Sequence, residues 1–163
     1  MRELTVDVAI IGGGPAGLAA ALEVARRGRS CAILERNTEL GGILQQCIHD
    51  GFGLIRFGES VSGCAYAQRF IDRLEAARAG GARIEVLLDT MVLELAANRE
   101  IWATNPSDGM VHVRACAVIL LGLHIGGCAG DLYDTRLYFT RFRDPMTLMR
   151  DTGPAQTFYV KKG

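Results

Sequence analysis

The sequence predicts an α/β fold, with a mainly parallel sheet, helices packed against it and a small antiparallel β insertion. Two observations support this prediction. An apolar run at residues 4–11 leads into a glycine-rich turn and then an alanine-rich helix, and a second apolar run follows at residues 30–34. A strand, a helix and a second strand in this order are typical of parallel strands joined by a crossover. At 163 residues, the chain is about one domain long.

The turn after the first strand carries the pattern G-x-G-x-x-G at Gly12, Gly14 and Gly17. The first glycine allows a tight turn, the second leaves no Cβ between the backbone and a phosphate, and the third lets the helix pack against the strand. A helix that opens here directs its N–H groups and positive dipole end towards a pyrophosphate. Glu35 ends the second strand about 20 residues on, where a carboxylate can accept both ribose hydroxyls and favours an unphosphorylated ribose. Together these residues predict a dinucleotide site.

The glycine-rich region has two simpler explanations than a dinucleotide site. The glycines could form an ordinary strand–helix turn, with Glu35 an exposed charge at the end of a strand. Alternatively, the uncharged run at residues 8–22 could enter a membrane, but it is shorter than the roughly 20 apolar residues that a spanning helix needs and is bounded by Asp7 and Glu23. The first residues also lack the basic region of a signal peptide.

The remaining elements follow from periodicity and from turn residues. The first helix is predicted from Pro15 to about Arg27, with Gly28 as its stop. Residues 37–42 are predicted as a loop, and residues 43–57, which have no clear period, as a connection that lines a ligand. An amphipathic helix is predicted at 65–79 and ends at Gly80. Strands are predicted at 83–87, 91–95, 100–104, 110–114 and 117–121.

Charge and cysteine content narrow the function further. Lys plus Arg and Asp plus Glu both number 18, so net charge predicts neither nucleic acid nor an anionic membrane as a partner. Acidic residues also interrupt the basic and aromatic run at 133–143. The five cysteines are scattered and contain no C-x-x-C pair, which predicts reduced thiols in a cytoplasmic protein and no metal site: Cys31, Cys47, Cys64, Cys116 and Cys128.

Three motifs carry a resemblance to a known family. They are VAIIGGGPAGLAAA at the first turn, ILER ending in Glu35 and Arg36, and LGGIL at residues 40–44. With them, the chain resembles the amino-terminal part of the FAD-dependent NAD(P)H oxidoreductases with two dinucleotide-binding domains, the glutathione-reductase-like superfamily. The longer run GGILQQCIHDGFGL is similar to NAD(P)/FAD-dependent oxidoreductases related to anaerobic glycerol-3-phosphate metabolism, and to FAD-binding subunits of amine and opine oxidases.

The resemblance implies an FAD-binding Rossmann-like domain over residues 1–121 and an unassigned tail over 122–163. It also implies a set of cofactor-binding residues. Those around the FAD pyrophosphate would be Gly12, Gly14, Pro15, Ala16 and Gly17. Glu35 would hold the adenosine ribose, with Arg36 beside the adenine. The segment Gly41, Gly42 and Ile43 would pass close to the pyrophosphate and ribityl chain, and the backbone at Val92 would contact the adenine.

The sequence departs from the family at two places. Disulfide reductases have a cysteine pair just after the glycine doublet, whereas only Cys47 is present here, so disulfide reduction is not expected. Cys47 is a weak catalytic candidate near the flavin or else a small buried cysteine, and His49 is either a proton relay or a structural histidine. After residue 121 no second glycine fingerprint follows, so the chain alone is expected to be a poor catalyst, either as a fragment, a truncated or frame-shifted reading, or a reduced relative.

The sequence therefore favours an FAD-dependent oxidoreductase whose flavin accepts a hydride or electron pair from NAD(P)H or a small organic substrate. A partner subunit or a homodimer is left open. Two alternatives remain, a dinucleotide-binding module without catalysis and a single-domain NAD-dependent dehydrogenase. The glycine pair at Gly41 and Gly42, followed by a long connection, favours FAD over NAD because the extended cofactor needs cover beyond the first crossover.

Overall fold

The computed structural model describes residues 1–123 and a strand at 135–140. Its sheet combines parallel and antiparallel strands in the order β5-β2-β1-β8-β7-β6, with β9 also paired to β8. The predicted α/β class with a small antiparallel part is confirmed. The strands are β1 (Arg2–Ile11), β2 (Cys31–Leu34), β3 (Asp50–Phe52), β4 (Val61–Ser62), β5 (Ile84–Leu87), β6 (Met91–Leu95), β7 (Glu100–Asn105), β8 (Gly109–Leu123) and β9 (Thr135–Thr140).

Within the residues that the structure describes, three α-helices and one 3-10 helix accompany the strands. The first helix, α1 (Pro15–Arg26), begins with a proline, which suits the first helical position. A 3-10 helix (Gly42–Gln46) and the short α2 (Leu54–Phe57) follow. The long α3 (Gly63–Ala79) begins two residues earlier than predicted, because the side chain of Ser62 accepts a hydrogen bond from the backbone N–H of Ala65 and so caps the helix there.

Four strands form the parallel part of the sheet. β1 lies between β2 and β8 and pairs with both in parallel, and β5 extends the sheet beyond β2. Because successive side chains of a strand point to opposite faces, Ile10 and Ile33 belong to one apolar cluster while Ala9 and Ala32 belong to another. The first cluster packs under α1 and α3 and includes Leu18, Phe70 and Leu74, whose burial fixes both helices on that face. For α3, this agrees with the amphipathic helix that the sequence predicts.

The antiparallel part differs from the prediction in one respect. Residues 110–114 and 117–121 were expected as two strands, but β8 is a single strand of 15 residues. The prediction of a break was wrong because Ala115 continues the ladder by pairing with Val6, so no turn interrupts it. β7 pairs with the first half of β8, where Trp102 stacks on His112 with ring centroids 4.0 Å apart. β9 pairs with the second half.

Residues 43–57 hold more regular structure than their lack of period indicates. They contain most of the 3-10 turn, then β3 and α2, and β3 pairs with β4 in a two-stranded sheet. Each of these elements is only 3 to 5 residues long in this span, too short to show a period. The expected loop at residues 126–130 and Cys128 lie outside the described residues. Among the helices described, none is both long enough and apolar enough to cross a membrane.

A set of polar contacts joins Asp7, midway along β1, to Ser30, the residue before β2. Asp7 Oδ2 accepts hydrogen bonds from the backbone N–H of Ser30 at 2.8 Å and from its hydroxyl at 2.7 Å, and Ser30 Oγ accepts from the N–H of Asp7 at 3.0 Å. These bonds, the backbone one foremost, lower the pKa of Asp7 from its usual 3.8. The contact therefore stabilises the fold above pH 3.8, and its contribution is lost as the pH falls through the lowered value.

We expect Asp7→Asn to lower the free energy of unfolding at neutral pH by roughly 1 kcal/mol, because an uncharged amide oxygen accepts the two bonds from Ser30 more weakly than the carboxylate does. Urea unfolding at neutral pH and in acid measures this, and the gap from the unmodified chain should shrink in acid. Asp72→Asn is the matched control, since Asp72 is exposed on α3 and accepts one bond from Gln68. An equal loss for both variants, or a gap that does not depend on pH, would contradict this account of Asp7.

Candidate functional site

The glycine turn between β1 and α1 has the geometry that its sequence predicts. Gly12 adopts a left-handed backbone conformation with φ +110°, and its N–H donates to the carbonyl of Leu34 at 2.9 Å. A Cβ on Gly17 would overlap the carbonyl oxygen of Gly12, so only glycine lets the helix approach the turn this closely. The fingerprint glycines therefore set the path of the backbone where the carboxyl end of β1 meets the first turn of α1.

The first turn of α1 is open to a ligand. Gly14 is the N-cap, with no side-chain cap and no acidic residue in the first turn of the helix. The first N–H groups of a helix have no partner within the helix. A Cβ on Gly14 would meet no atom within 4 Å. Uncapped N–H groups that face open space at a helix N-terminus suit an anion such as a phosphate.

Glu35 contacts this turn directly, a contact that sequence reasoning missed. The residue is 5% exposed. Its Oε2 accepts from the N–H of Gly13 at 2.6 Å and its Oε1 accepts from the N–H of Asn37 at 2.8 Å. Each carboxylate oxygen therefore accepts one backbone N–H group and retains a lone pair that can accept from another donor. The only signal in the sequence was an acid at the end of a strand adjacent to a glycine turn. The contact with a ribose remains a prediction.

The second glycine pair lies against the first. Gly41 donates its N–H to the carbonyl of Gly13 at 2.9 Å. Gly42 has φ +54°, and a Cβ on it would come within 3.1 Å of the Cα of Gly14. Ile43 continues from this pair into the 3-10 helix (Gly42–Gln46). The two glycine motifs, which are more than twenty positions apart in the sequence, thus form one surface around the start of α1.

A cleft of about 460 Å³ opens beside this surface. Its wall includes Arg36, which is exposed, and the place of this residue beside the adenine remains a prediction. Val92 does not line it; its side chain packs against the apolar cluster around Ile101 and Val111, and its predicted contact with adenine remains a prediction. The lining residues are Arg36, Asn37, Thr38, Glu39, Gly42, Gln45 and Gln46.

Residues 89 and 90 lie against the segment that follows β2, a contact that no motif indicates. Asp89 donates its N–H to the carbonyl of Asn37 at 2.9 Å, and Thr90 donates its N–H to the carbonyl of Glu35 at 2.8 Å. Asp89 has φ +48°, an uncommon conformation for a residue with a side chain. These bonds hold the start of β6 against the end of β2. They bring the loop before β6 next to the predicted ribose position.

The two weak catalytic candidates lie farther along the chain from the glycine turn. Cys47 is partly exposed and its thiol donates to the carbonyl of Ile43 at 3.4 Å. His49 is exposed, with Nδ1 3.0 Å from the carbonyl oxygen of Asp50 and its ring 5.3 Å from that of Phe52. Neither lines the cleft. Their roles remain predictions. Within residues 1–123 and 135–140, no three His, Cys, Asp or Glu side chains are grouped to hold a metal.

Comparison with known proteins defines the class of this chain. Residues 7–118 match the model of a family described as FAD dependent oxidoreductase, so the chain belongs to that family. The match confirms the predicted class of flavoprotein, and FAD is the cofactor that the family's description names. The closer resemblance to proteins of glycerol-3-phosphate metabolism remains a prediction.

Individual relatives agree with this class. The chain is 56% identical over 42 residues to a thiamine thiazole synthase of Desulfosudis oleivorans, covering 26% of this chain and 16% of that protein. It is 52% identical over 42 residues to a ferredoxin–NADP reductase of Streptococcus equi subsp. zooepidemicus, covering 26% of this chain and 13% of that protein. The structure of L-proline dehydrogenase from P. horikoshii matches with a TM-score of 0.58 and 25% identity, covering 73% of this chain and 22% of that one. The chain thus spans less than a quarter of each.

The local geometry fits the cofactor of the family. A dinucleotide needs backbone donors for its pyrophosphate, space where a side chain would otherwise stand and an acceptor for its ribose. The start of α1 supplies the donors, Gly14 supplies the space and Glu35 supplies the acceptor. These features lie together because β1 and β2 are adjacent parallel strands whose carboxyl ends meet at one edge of the sheet.

The second and third glycines of the fingerprint, Gly14 and Gly17, are expected to differ in their effect on stability when each is replaced by alanine. Gly17→Ala should lower the free energy of unfolding by about 1–3 kcal/mol, because the new methyl group collides with backbone rather than with a movable side chain. Gly14→Ala should change it by less than about 1 kcal/mol, because its Cβ enters open space at an N-cap with φ −70°. Urea unfolding without any added nucleotide measures both. Similar losses for the two variants would contradict the geometry of the turn.

Proposed function

We propose that this chain is the FAD-binding part of an oxidoreductase whose flavin takes a hydride or an electron pair from NAD(P)H or a small organic substrate. The observation that carries the proposal is the open space at Gly14 in front of the uncapped start of α1. FAD supplies the redox chemistry when it is bound, and the protein supplies binding, orientation and electrostatics.

The start of α1 is proposed to hold the pyrophosphate. Pro15 has no N–H to donate but fixes the first helical residue, so Ala16 and Gly17 present the first backbone donors of the helix. Gly14 keeps a side chain out of the space in front of them, and the left-handed conformation of Gly12 allows the tight turn that leads there. Since the chain carries equal numbers of acidic and basic residues, these local dipoles rather than a general positive charge would hold the phosphates.

The two ends of the cofactor would lie on either side of this turn. On one side, Glu35 accepts from the adenosine ribose and Arg36 lies beside the adenine, with Val92 as the expected backbone contact. On the other side, Gly41 and Gly42 let the backbone pass close to the pyrophosphate and ribityl chain. Their conformations, with φ +108° and +54°, are costly for any other residue, which supports a role in a close approach.

The electron donor, the partners and the location of the protein belong to this proposal as well. The name of the related ferredoxin–NADP reductase supports a pyridine nucleotide as donor. A small molecule is the proposed substrate, with no nucleic acid or membrane as a partner, and a partner subunit or a homodimer would supply the surfaces that close the flavin end. All four described cysteines are free thiols, which supports a cytoplasmic location.

Two alternatives make different predictions about bound ligand. A module that binds nucleotides without catalysis would hold FAD but show no reduction of it by NADH, NADPH or a substrate. A single-domain NAD-dependent dehydrogenase would bind NAD in preference to FAD and would be colourless as purified. The visible absorption spectrum of the purified chain, before and after addition of FAD and removal of the excess, separates flavin binding from NAD binding.

We expect Gly14→Val to weaken FAD binding more than about 100-fold, or about 2.8 kcal/mol. The added side chain fills the space that the pyrophosphate needs, while φ −70° and an extended ψ at this residue accommodate valine without strain. Quenching of flavin fluorescence measures the dissociation constant, with circular dichroism to confirm that the variant is folded.

Gly80→Ala is the matched control, because it adds a Cβ at the C-cap of α3 with only ordinary contacts. Unchanged FAD affinity in a folded Gly14→Val protein would show that the pyrophosphate does not lie at this turn. Tight displacement of FAD by NAD from the unmodified chain would favour the dehydrogenase instead.

Glu35 should set a preference for ADP-ribose over ADP-ribose 2′-phosphate, because its carboxylate repels the extra phosphate. Glu35→Ala should narrow that preference, and it should weaken ADP-ribose binding by about 1.5–3 kcal/mol for each charge-assisted hydrogen bond lost. The variant also frees the N–H groups of Gly13 and Asn37, so both ligands are expected to weaken, and the ratio of their dissociation constants is the informative quantity.

Calorimetric titration of both ligands provides this ratio. Glu39→Ala is the control, since Glu39 is an exposed acid that lines the same cleft. If the unmodified chain prefers the phosphorylated ligand, or if Glu39→Ala changes the ratio as much as Glu35→Ala does, Glu35 does not contact the ribose.

A further inference from the structure

Two cysteines that are distant in the sequence meet at the 3-10 turn beside the cleft. The thiol of Cys47 donates to the carbonyl of Ile43 at 3.4 Å. The thiol of Cys64 lies 3.6 Å from the carbonyl oxygen of Leu44 and 3.3 Å from that of Gln45. The two sulfurs therefore contact the carbonyls of three consecutive residues, one from the end of the turn and one from the first turn of α3.

The backbone of Cys47 is in direct contact with that of Gly63, the residue before Cys64. Gly63 donates its N–H to the carbonyl of Cys47 at 2.8 Å. A Cβ built on Gly63 would lie only 2.5 Å from the Cβ of Cys47, so a side chain at position 63 would be excluded. Cys64 is the next residue after Gly63. The glycine therefore lets the two cysteine-bearing segments approach each other closely, as a disulfide requires, since its Cα atoms are usually about 5.5–6 Å apart.

The other described cysteines lack this arrangement. Cys31 is fully buried under α1, and burial raises the pKa of its thiol to about 11, which suppresses the reactive thiolate. Cys116 is exposed on β8, far along the chain from the turn. Cys47 and Cys64 are both partly exposed, so a small oxidant can reach them, and both are reduced in the structure.

We propose that Cys47 and Cys64 form a thiol pair that closes reversibly into an intramolecular disulfide beside the cofactor cleft. The S–S bond forms as each thiol loses a proton and the pair gives up two electrons. A low-molecular-weight disulfide such as glutathione disulfide is the oxidant. Its S–S bond breaks, it accepts the two electrons and the two protons, and two thiols are released.

The disulfide would act on the cofactor through the turn. On forming it, both sulfurs leave the carbonyls of residues 43–45 and the end of the turn is tied to α3. Gly42, Gln45 and Gln46 line the cleft, and Gly42 lies against Gly14, so a displaced turn disturbs the surface around the start of α1. Oxidation is therefore expected to weaken FAD binding. This effect on FAD rests on the proposed function, whereas formation of the disulfide does not.

The disulfide is tested on the full 163-residue chain by titration with glutathione disulfide, alkylation of the remaining thiols and peptide mapping by mass spectrometry. We expect a cross-link between the peptides that hold Cys47 and Cys64, removed by dithiothreitol. Cys116→Ser should keep this cross-link, and Cys64→Ser should abolish it and leave Cys47 as a mixed disulfide with glutathione. If Cys47 and Cys64 remain free, or if each carries its own glutathione and no cross-link forms, the pairing is overturned.

The regulatory effect is tested by the dissociation constant of FAD for the reduced and the cross-linked chain. We expect the cross-linked chain to bind FAD at least about fivefold more weakly, within the usual range for coupling between sites. A double variant, Cys47→Ser with Cys64→Ser, can form neither the cross-link nor a mixed disulfide at these positions, so its FAD affinity should not change with glutathione disulfide. Equal affinity in both redox forms would overturn the regulation while leaving the cross-link in place. Failure of the reduced chain to bind FAD would instead count against the proposed function, and peptide mapping would still decide the pairing.

Discussion

The site depends on one buried carboxylate. Glu35 ends β2, yet its two oxygens accept backbone N–H groups from two different loops, at Gly13 in the glycine turn and at Asn37 beyond the strand. The carbonyl of the same residue accepts from the N–H of Thr90. Glu35 therefore joins the turn before α1, the loop after β2 and the loop before β6. A buried charge is stable only when it is well hydrogen-bonded. The conformations of two loops therefore depend on the side chain of Glu35, and that of the third loop depends on its backbone carbonyl.

The same constraint explains why the glycines occur where they do. With the turn drawn towards Glu35, α1 starts so close to β1 that Gly17 has no room for a side chain against Gly12. The second loop then reaches Gly13 through the N–H of Gly41, and Gly42 comes against Gly14. Backbone thus packs on backbone where Gly17 meets Gly12 and where Gly42 meets Gly14. Space is left in front of Gly14 alone, and it faces the uncapped start of a helix.

Most of the fold and part of the site could be predicted from the sequence. The central strands and both long helices have clear apolar patterns, and the roles of Gly12 and Gly17 follow from a motif whose spacing has a mechanical cause. Residues 43–57 could not be predicted, because their elements are held by contacts with α3 rather than by a local period. The sequence also does not reveal the two hydrogen bonds that the Glu35 side chain accepts, or the contact between the segments that carry Cys47 and Cys64. Both depend on which loops the fold brings together. The sequence predicts two strands in place of β8 because Ala115 and Cys116 are small residues with little strand propensity of their own.

The pairing around β8 has a consequence for self-association. Its first half is covered by β7 and its second half by β9, while β1 lies along the other side of the strand for most of its length. A strand edge with free N–H and C=O groups is a template on which another chain can add a strand. Because β9 takes up the backbone groups of residues 118–123, it shields the centre of the sheet from edge-to-edge aggregation. The short strand at 135–140 thus covers backbone groups of β8 that would otherwise lie at an open edge.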